Sequence, residues 1–516
     1  MRSVPANAVV RGPAGSAGIA AGSAGAVRAG AEILAVGGSA VDAALACTLA
    51  SAVTEPVLSS LGGGGFLLHA PEGGEVSVLD FFVTVPGREG AGTAPAVSTV
   101  VVDFAKAGPA ATVSEQVFHG GWGTVAVPGS LAGVLEAHRR WGRLSLAEVV
   151  APASALARGG VQLSSVQRRF VTLVAELLLL TDESRALFTE VETTGRYANP
   201  AYADLLDALG RGEITAQTDA AYADPLLAAS VQCGGLLTAR DLADFEPLLR
   251  APAVVGRDGW RVVTNPPPAA GGTIVLDALS RIPLPPKESG RVDWASAVAA
   301  QADAVLTHRA PGQVPTGTTH VSVIDADGTV AALTTSNGSG SGTVVPGWGV
   351  ALNNMLGEED LQPGEPLAPG DRMGSMMAPT LLERPDGARV VLGTGGSERI
   401  RSATLGVVAR IVDEGAEVEQ AVAAPRVHVG SDHQVHVEPG LTAPDLDGLV
   451  ALTRARGWPE PELWPTRNVY FGGVHAVRRG ADGAITAVGD GRRGGAAAVL
   501  HPDGRVVLVD SDPHAS

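Results

Sequence analysis

Lysine is almost missing from this 516-residue chain: only Lys106 and Lys287 occur. No glycine-rich stretch ends in Gly-Lys-Ser or Gly-Lys-Thr, which excludes a phosphate-binding P-loop. Lysine and arginine together number 37 against 54 acidic residues, giving a formal charge of −17. Such a field repels a phosphate backbone, so no nucleic-acid partner is expected. Cysteine is equally scarce. Cys47 and Cys233 stand far apart, do not suggest a disulfide framework, and read as small buried hydrophobes. Long apolar runs are also lacking, and no run of about 18 such residues marks a membrane span. The opening Met1-Arg2-Ser3-Val4-Pro5 leads into Gly/Ala/Ser-rich sequence without the apolar core of a signal peptide. These absences predict a soluble, cytoplasmic protein. Histidines, cysteines and carboxylates nowhere cluster at ligand spacing, so no metal or organic cofactor is expected.

What is present suits a folded globular protein. The chain is 45% hydrophobic and 18% charged, enough for a substantial core in one large or two ordinary domains. Residues 17 to 54 read as helices broken at Gly37-Gly38, with Ser39 as an N-cap and Asp42 in the first turn. The run Gly62-Gly63-Gly64-Gly65-Phe66 precedes a strand and reads as tight packing between layers rather than ligand contact. Further strands are expected at 76 to 82 and 123 to 127, and helices over 131 to 140 and most of 145 to 245, where Thr238 caps one. Residues 265 to 272, rich in Pro and Gly, read as irregular, and a helix is expected over 294 to 308. The Pro311 to Gly317 stretch is the best candidate for an exposed, cleavable loop. Beyond it strands dominate, beginning with a hairpin that turns at Ala326-Asp327-Gly328. No internal repeat occurs. The expected class is α+β, helices packed on stacked sheets, with an α-rich first part and a β-rich last part.

The most informative stretch is Gly317-Thr318-Thr319-His320-Val321-Ser322-Val323-Ile324-Asp325. Two threonines stand at the mouth of an alternating strand, behind a small residue. A cut just before Thr318 would place an α-amino group on the same residue as the hydroxyl, where it can act as that hydroxyl's general base. The plainer reading of Thr318-Thr319 is β-propensity at a strand start.

Several ordered motifs tip that balance. Gly37-Gly38-Ser39-Ala40-Val41-Asp42-Ala43-Ala44, Glu55-Pro56 before Gly62 to Phe66, and Val127-Pro128-Gly129 come first. Leu237-Thr238 with Asp241-Leu242, Pro266 to Gly272, and Pro425-Arg426 with His428 follow. Each is weak alone. In this order and spacing, through nearly the whole chain, they resemble the γ-glutamyltransferase family, a branch of the N-terminal-nucleophile (Ntn) hydrolases. The resemblance implies a four-layer αββα sandwich with two stacked central antiparallel β-sheets. It also implies self-cleavage between Gly317 and Thr318. The large subunit would be 1–317 and the small subunit 318–516, remaining associated as one structural domain.

Carried onto this sequence, the resemblance makes Thr318 the nucleophile, first on its own upstream peptide bond and then on substrate. The second hydroxyl, eighteen positions on, is Ser336 where Thr is usual, with Thr335 the competitor if the register slips by one. Asn337 resembles a substrate-binding Asn, shifted by one residue. Gly395-Gly396-Ser397 resembles the oxyanion segment, with Ser397 counted among the substrate-binding positions. In the Asn353-Asn354-Met355-Leu356-Gly357-Glu358-Glu359 run, Asn353 is a substrate-binding candidate and Glu358 takes the place of the Asp that faces a donor amine.

Two departures bear on substrate. Phe82 stands where the family places an arginine for the donor carboxylate, and the paired Ser-Ser that shares this task is Ser375-Met376 here. An unpaired substrate carboxylate in such a site costs about 2–5 kcal/mol. Arg88, Arg372 or Arg399 could compensate from another direction. The expectation is a self-processing threonine hydrolase or acyltransferase, acting on a small-molecule acyl substrate with water or an amine as acceptor, and poor on γ-glutamyl donors. A homo-oligomer is compatible with this. Three other readings stay open: hydrolytic C–C cleavage that removes an oxalyl-type group in alkylproline natural-product biosynthesis, an ordinary glutathione hydrolase, and an uncleaved, inactive binding protein.

Overall fold

The computed structural model describes residues 6–90, 95–103, 115–285, 290–308, 317–358 and 367–512. Two antiparallel sheets form its centre. The eight-stranded sheet runs, in spatial order, Val506–Asp510, Ala496–Leu500, Ala17–Ala21, Gly317–Ile324, Val330–Gly338, Gly64–Ala70, Ser77–Asp80 and Leu248–Arg250. The seven-stranded sheet runs Ala8–Gly12, Ile485–Gly489, Gly473–Arg479, Arg389–Gly395, Thr380–Glu383, Trp260–Thr264 and Ala253–Arg257. Strand Gly317–Ile324 lies across Arg389–Gly395 and Gly473–Arg479, so the sheets stack face to face.

Strand alternation sorts the side chains into layers. Leu67, Val321 and Leu333 belong to the core formed with helices Ala24–Ala35 and Ala40–Thr54 on one outer face. Their chain neighbours Phe66, Leu68 and Ala332 belong to the core between the sheets, which continues to helices Ala270–Arg281, Trp294–Thr307 and Arg399–Asp413 beyond the other face. The result is the expected order of helices, sheet, sheet, helices. Helix Ala40–Thr54 is buried on nearly every side, and Ser39 and Asp42 close its first turn as a reciprocal capping box. Thr238 and Asp241 do the same for Ala239–Ala243.

Several expectations are corrected. Ala17–Ala21 is a strand, not the start of a helix; a five-residue apolar run buried on both faces carries no periodicity to distinguish the two. Residues 123 to 127 do not make a strand. Trp122–Thr124 is a 3₁₀ turn, and Val127 makes a single bridge to Thr84. The backbone of Gly123 passes so near Ala96 that a Cβ would fall 2.8 Å from its nitrogen. The irregular stretch after Asn265 ends early, since Ala270 already begins a helix. The hairpin Ala253–Arg257 to Trp260–Thr264, turning through Asp258 and Gly259 at φ 45° and 77°, was not anticipated. The first part is also less purely helical than expected: four of the eight strands in the larger sheet precede Gly317. Of the expected exposed loop from Pro311 to Gly317, residues 311–316 lie outside the described residues, and Gly317 is the buried first residue of a strand.

Candidate active site

The hairpin that starts at Gly317 builds the centre of the site. Ile324 pairs with Val330, and the ladder runs back to Thr318 opposite Ser336. Asp325 fixes the turn by accepting hydrogen bonds from the Asp327 and Thr329 nitrogens at 3.1 and 3.0 Å. Gly317 then pairs with Gly338, so Asn337 is the extra residue of a bulge. A Cβ at Gly317 would lie 2.5 Å from the Gly338 carbonyl oxygen and 2.6 Å from that of Val57, so only glycine passes here.

The Thr318 and Ser336 side chains point between the sheets. Thr318 Oγ1 donates to Ser336 Oγ at 3.2 Å, and Ser336 Oγ donates to the Gly317 carbonyl oxygen at 2.6 Å. The Gly338 N–H completes the set by donating to Ser336 Oγ at 3.1 Å. One hydroxyl thus touches both the threonine hydroxyl and the carbonyl of the preceding residue. The next pair faces the helices. Thr335 is hydrogen-bonded to Ser59 at 2.9 Å, and Thr319 Oγ1 donates to Glu55 Oε2 at 2.7 Å. Register therefore puts Ser336, and not Thr335, beside Thr318.

The seven-stranded sheet closes the site from across the interface. Strand Arg389–Gly395 ends against Thr318, and a Cβ at Gly395 would fall 1.9 Å from the Thr318 carbonyl oxygen. Gly396 has φ 130° and Ser397 φ 55°, a turn that leads into helix Arg399–Asp413. Arg493, which no sequence motif singled out, enters the same corner. Its Nη1 donates to the Thr318 carbonyl oxygen at 3.4 Å. Burial lowers its pKa to about 10, reinforced by the nearby Arg399. Behind the strand, burial raises the Glu55 carboxyl to about 7, although hydrogen bonds from Thr319 and Ser51 pull it back.

A small pocket opens on Thr318 and Ser336. Its other described walls are Phe82, Met355, Glu358, Ser375, Met376, Met377, Ser397 and Ile400. Most of this lining is apolar, and Glu358 is its only charged side chain among the described residues. Glu358 Oε1 accepts from the Ser339 nitrogen at 2.9 Å. Phe82 stacks on Phe66 with ring centres 5.8 Å apart. Ser375 Oγ accepts from the Met377 nitrogen at 3.1 Å.

The three arginines that could replace the missing cation are engaged elsewhere. Arg372 donates to the carbonyls of Phe82 and Glu246 and lies over the Phe245 ring. Arg88 pairs with Asp244, and Arg399 stacks on Tyr470.

Two expected substrate-binding residues lie outside the pocket wall. Asn353 donates its amide N–H groups to the Gly62 and Ala126 carbonyls, and its oxygen accepts from the Ala126 and Met355 nitrogens. Asn337 Nδ2 reaches toward the carbonyls of Ala351 and Leu352. Met355, Met377, Ile400 and Arg493 are additions that sequence reasoning missed. For Arg493 the available signal was a pair of arginines inside the Gly489-to-Gly495 turn, where two cations side by side need a reason. Among the described residues no group of three or more His, Cys, Asp or Glu side chains could hold a metal ion.

Two stacked antiparallel sheets between helical layers, with a threonine at the start of a central strand, define an Ntn-hydrolase fold. The chain belongs to the gamma-glutamyltranspeptidase family, whose model matches residues 26–305 and 289–500. It is 28% identical over 538 residues to the glutathione hydrolase proenzyme of Pseudomonas aeruginosa, covering 92% of each chain. It is 29% identical over 460 residues to the acylase ACY 1 proenzyme of a Pseudomonas species, covering 77% of this chain and 80% of that one. The crystal structure of cephalosporin acylase from Bacillus halodurans superposes with a TM-score of 0.75 at 22% identity, covering 97% and 96% of the two chains, and shares the fold. The protein is thus an enzyme of the Ntn hydrolase and acyltransferase class.

Proposed function

We propose that the chain is a self-processing threonine acyl hydrolase whose acyl pocket does not suit a γ-glutamyl group. The observation that carries this reading is the Ser336 hydroxyl bridging Thr318 Oγ1 and the Gly317 carbonyl oxygen. In self-cleavage, Thr318 Oγ1 attacks the Gly317 carbonyl carbon while Ser336 stabilises the developing oxyanion. The hydroxyl proton passes to the departing amide nitrogen, and an ester replaces the peptide bond. Water splits the ester, leaving a carboxylate on Gly317 and a free α-amine on Thr318. The two fragments stay together because both sheets contain strands from either side of the cut.

The freed amine then serves as base for the same hydroxyl. Thr318 Oγ1 attacks the acyl carbonyl of a substrate, the leaving group departs with the proton, and water hydrolyses the acyl-enzyme. Backbone amides at the Gly395–Gly396 turn are suited to the tetrahedral oxyanion and would lower the barrier by about 3 kcal/mol.

Phe82, Met355, Met376, Met377 and Ile400 favour an apolar acyl group. No guanidinium among the described lining residues would pair an α-carboxylate. A denaturing gel tests the first half of the reading: wild type should give fragments of 1–317 and 318–516, and Thr318→Ala should stay intact. An intact wild-type chain after prolonged incubation would overturn it. For the second half, an apolar acyl p-nitroanilide should be cleaved faster than γ-glutamyl-p-nitroanilide. The reverse order would sink the claim about the pocket.

A further inference from the structure

We propose that Arg493 is a positioning residue that pins the Thr318 main chain against the Gly395–Gly396 turn and keeps the freed Thr318 α-amine uncharged. The inference rests on the threonine reading above and adds a group to it.

Arg493 differs from its neighbour in a telling way. Arg492 is fully buried and fully answered: Glu438 lies at 2.6 Å, Asp490 at 3.3 Å, and the Val422 and Ala424 carbonyls accept its remaining N–H groups. It anchors the turn Gly491–Arg493, which links the two sheets. Arg493 is only 7% exposed yet forms no ion pair among the described residues, and its Nε lacks a hydrogen-bond partner there. Its one hydrogen bond among them is to the Thr318 carbonyl oxygen. A Cβ at Gly395 would lie 2.9 Å from Nη1, and one at Gly396 3.1 Å from Nη2. The guanidinium therefore fills the notch between nucleophile and turn. The guanidinium lies 5.5 Å from the Phe170 ring centre, and Glu55 and Asp490 act on it only at a distance, so no direct ion pair offsets the cost of burying this cation.

The chemistry of an N-terminal threonine supplies a reason. An α-amine normally titrates at about 7.7–8.0, so at neutral pH it is mostly an ammonium and cannot accept a proton. A cation a few ångströms away disfavours the ammonium and lowers that pKa by about one unit or more. The amine and the carbonyl sit on either side of one Cα, so a guanidinium bonded to the carbonyl oxygen is also close to the amine. The other charged groups facing this corner can be named element by element. Arg399, on the helix after the turn, acts in the same sense as Arg493. Glu55, at the end of helix Ala40–Thr54, opposes it through Thr319, but only once ionised. Glu358 opposes it from the pocket wall. Asp490 and Arg426 act on Arg493 from behind.

The test reads the amine itself and needs no substrate. Processed enzyme is labelled with trace acetic anhydride across a pH series, and mass spectrometry follows acetylation of the Thr318 peptide. In wild type the amine should titrate below the ordinary range. Arg493→Met should raise the midpoint by about one pH unit, and Arg493→Lys should restore most of the shift. Should Arg493→Met remain uncut, Glu55→Gln carries the comparison, because removing that negative charge should lower the midpoint. Coincident titrations of wild type with Arg493→Met, or with Glu55→Gln where the first is uncut, would overturn the proposal. So would a wild-type amine titrating in the ordinary range. A wild-type chain that never cleaves is seen on the gel beforehand and sinks the threonine reading instead.

Discussion

Replacing Ser336 by alanine removes one oxygen on which three contacts converge. Thr318 Oγ1 lies 3.2 Å from it, the Gly317 carbonyl oxygen 2.6 Å and the Gly338 nitrogen 3.1 Å. Ser336 is only 4% exposed, so water does not readily take over. Leaving a buried N–H and C=O unanswered costs about 1–3 kcal/mol of stability. The effect on the proposed self-cleavage should be larger, because the hydroxyl points at the Gly317 carbonyl oxygen, on which negative charge would develop. Losing such a donor costs about 2.7–4 kcal/mol in the transition state, a slowing of about 10²–10³-fold. The assay is the rate at which the 318–516 fragment accumulates on a denaturing gel, beside a thermal melt of the same sample. Ser336→Thr keeps the hydroxyl and should cleave near the wild-type rate. Thr335→Val is the register control, since Thr335 bonds Ser59 on the helix side. It should lower stability without slowing cleavage. Cleavage of Ser336→Ala at the wild-type rate, or arrest by Thr335→Val alone, would refute the assignment.

Gly395→Ala brings a methyl group to 1.9 Å from the Thr318 carbonyl oxygen, so the facing strands must part. If Thr318 is the nucleophile as proposed, a displacement of about 1 Å there should cost about 100-fold in hydrolysis of a chromogenic acyl anilide. Acid should destabilise the fold. Burial holds His475 at about 4, so it contributes stability that is full above 6.5 and is lost as pH falls toward 4, and burial also holds His320 well below its usual value, which acts in the same sense. For His475 this amounts to about 3 kcal/mol, measurable as a fall in urea midpoint between neutral pH and pH 4. Glu55 acts oppositely. Its pKa is raised from 4.5 to about 7, so its contribution is full below 4.5 and fades as pH climbs through 7, and Glu55→Gln should flatten that slope. Asp490→Asn leaves Arg426 and Arg492 underpaired in the core and should cost about 3–5 kcal/mol in thermal unfolding.

The pairing of Thr318 with Ser336 was legible only in part: the resemblance pointed to Ser336 and left Thr335 open, and the local register of the hairpin decides between them. Once the Asp325–Thr329 turn is placed, the ladder leaves Thr318 no other partner, and a slip of one residue would turn every side chain to the opposite layer. The alternation of Val321, Ser322 and Val323 already distinguishes the two faces of the strand. Caps at Ser39 and Thr238 were legible for the same reason, since three residues determine them. Strand Ala17–Ala21 was not, because an Ala/Gly-rich run buried on both faces has no period to read.

The pocket obeys a different rule. Its walls come from residues 82, 336, 355, 358, 375 to 377, 397 and 400, separated by whole strands and helices. Phe82 and Met376 were visible only as departures from a family pattern; Met355, Met377 and Ile400 departed from nothing and passed unnoticed. Arg493 is the clearest case. It lies 175 residues after Thr318 and reaches it because Asp490 binds Arg426, Arg492 and the Val474 nitrogen, fixing the turn between the sheets. A residue of this kind is recognised by asking which acceptor answers each buried charge. Where an arginine beside it has every N–H oriented toward an acceptor, a guanidinium with one long hydrogen bond to the Thr318 carbonyl stands out as underpaired, and the proposed positioning of Thr318 is the role that would offset the cost of burying it.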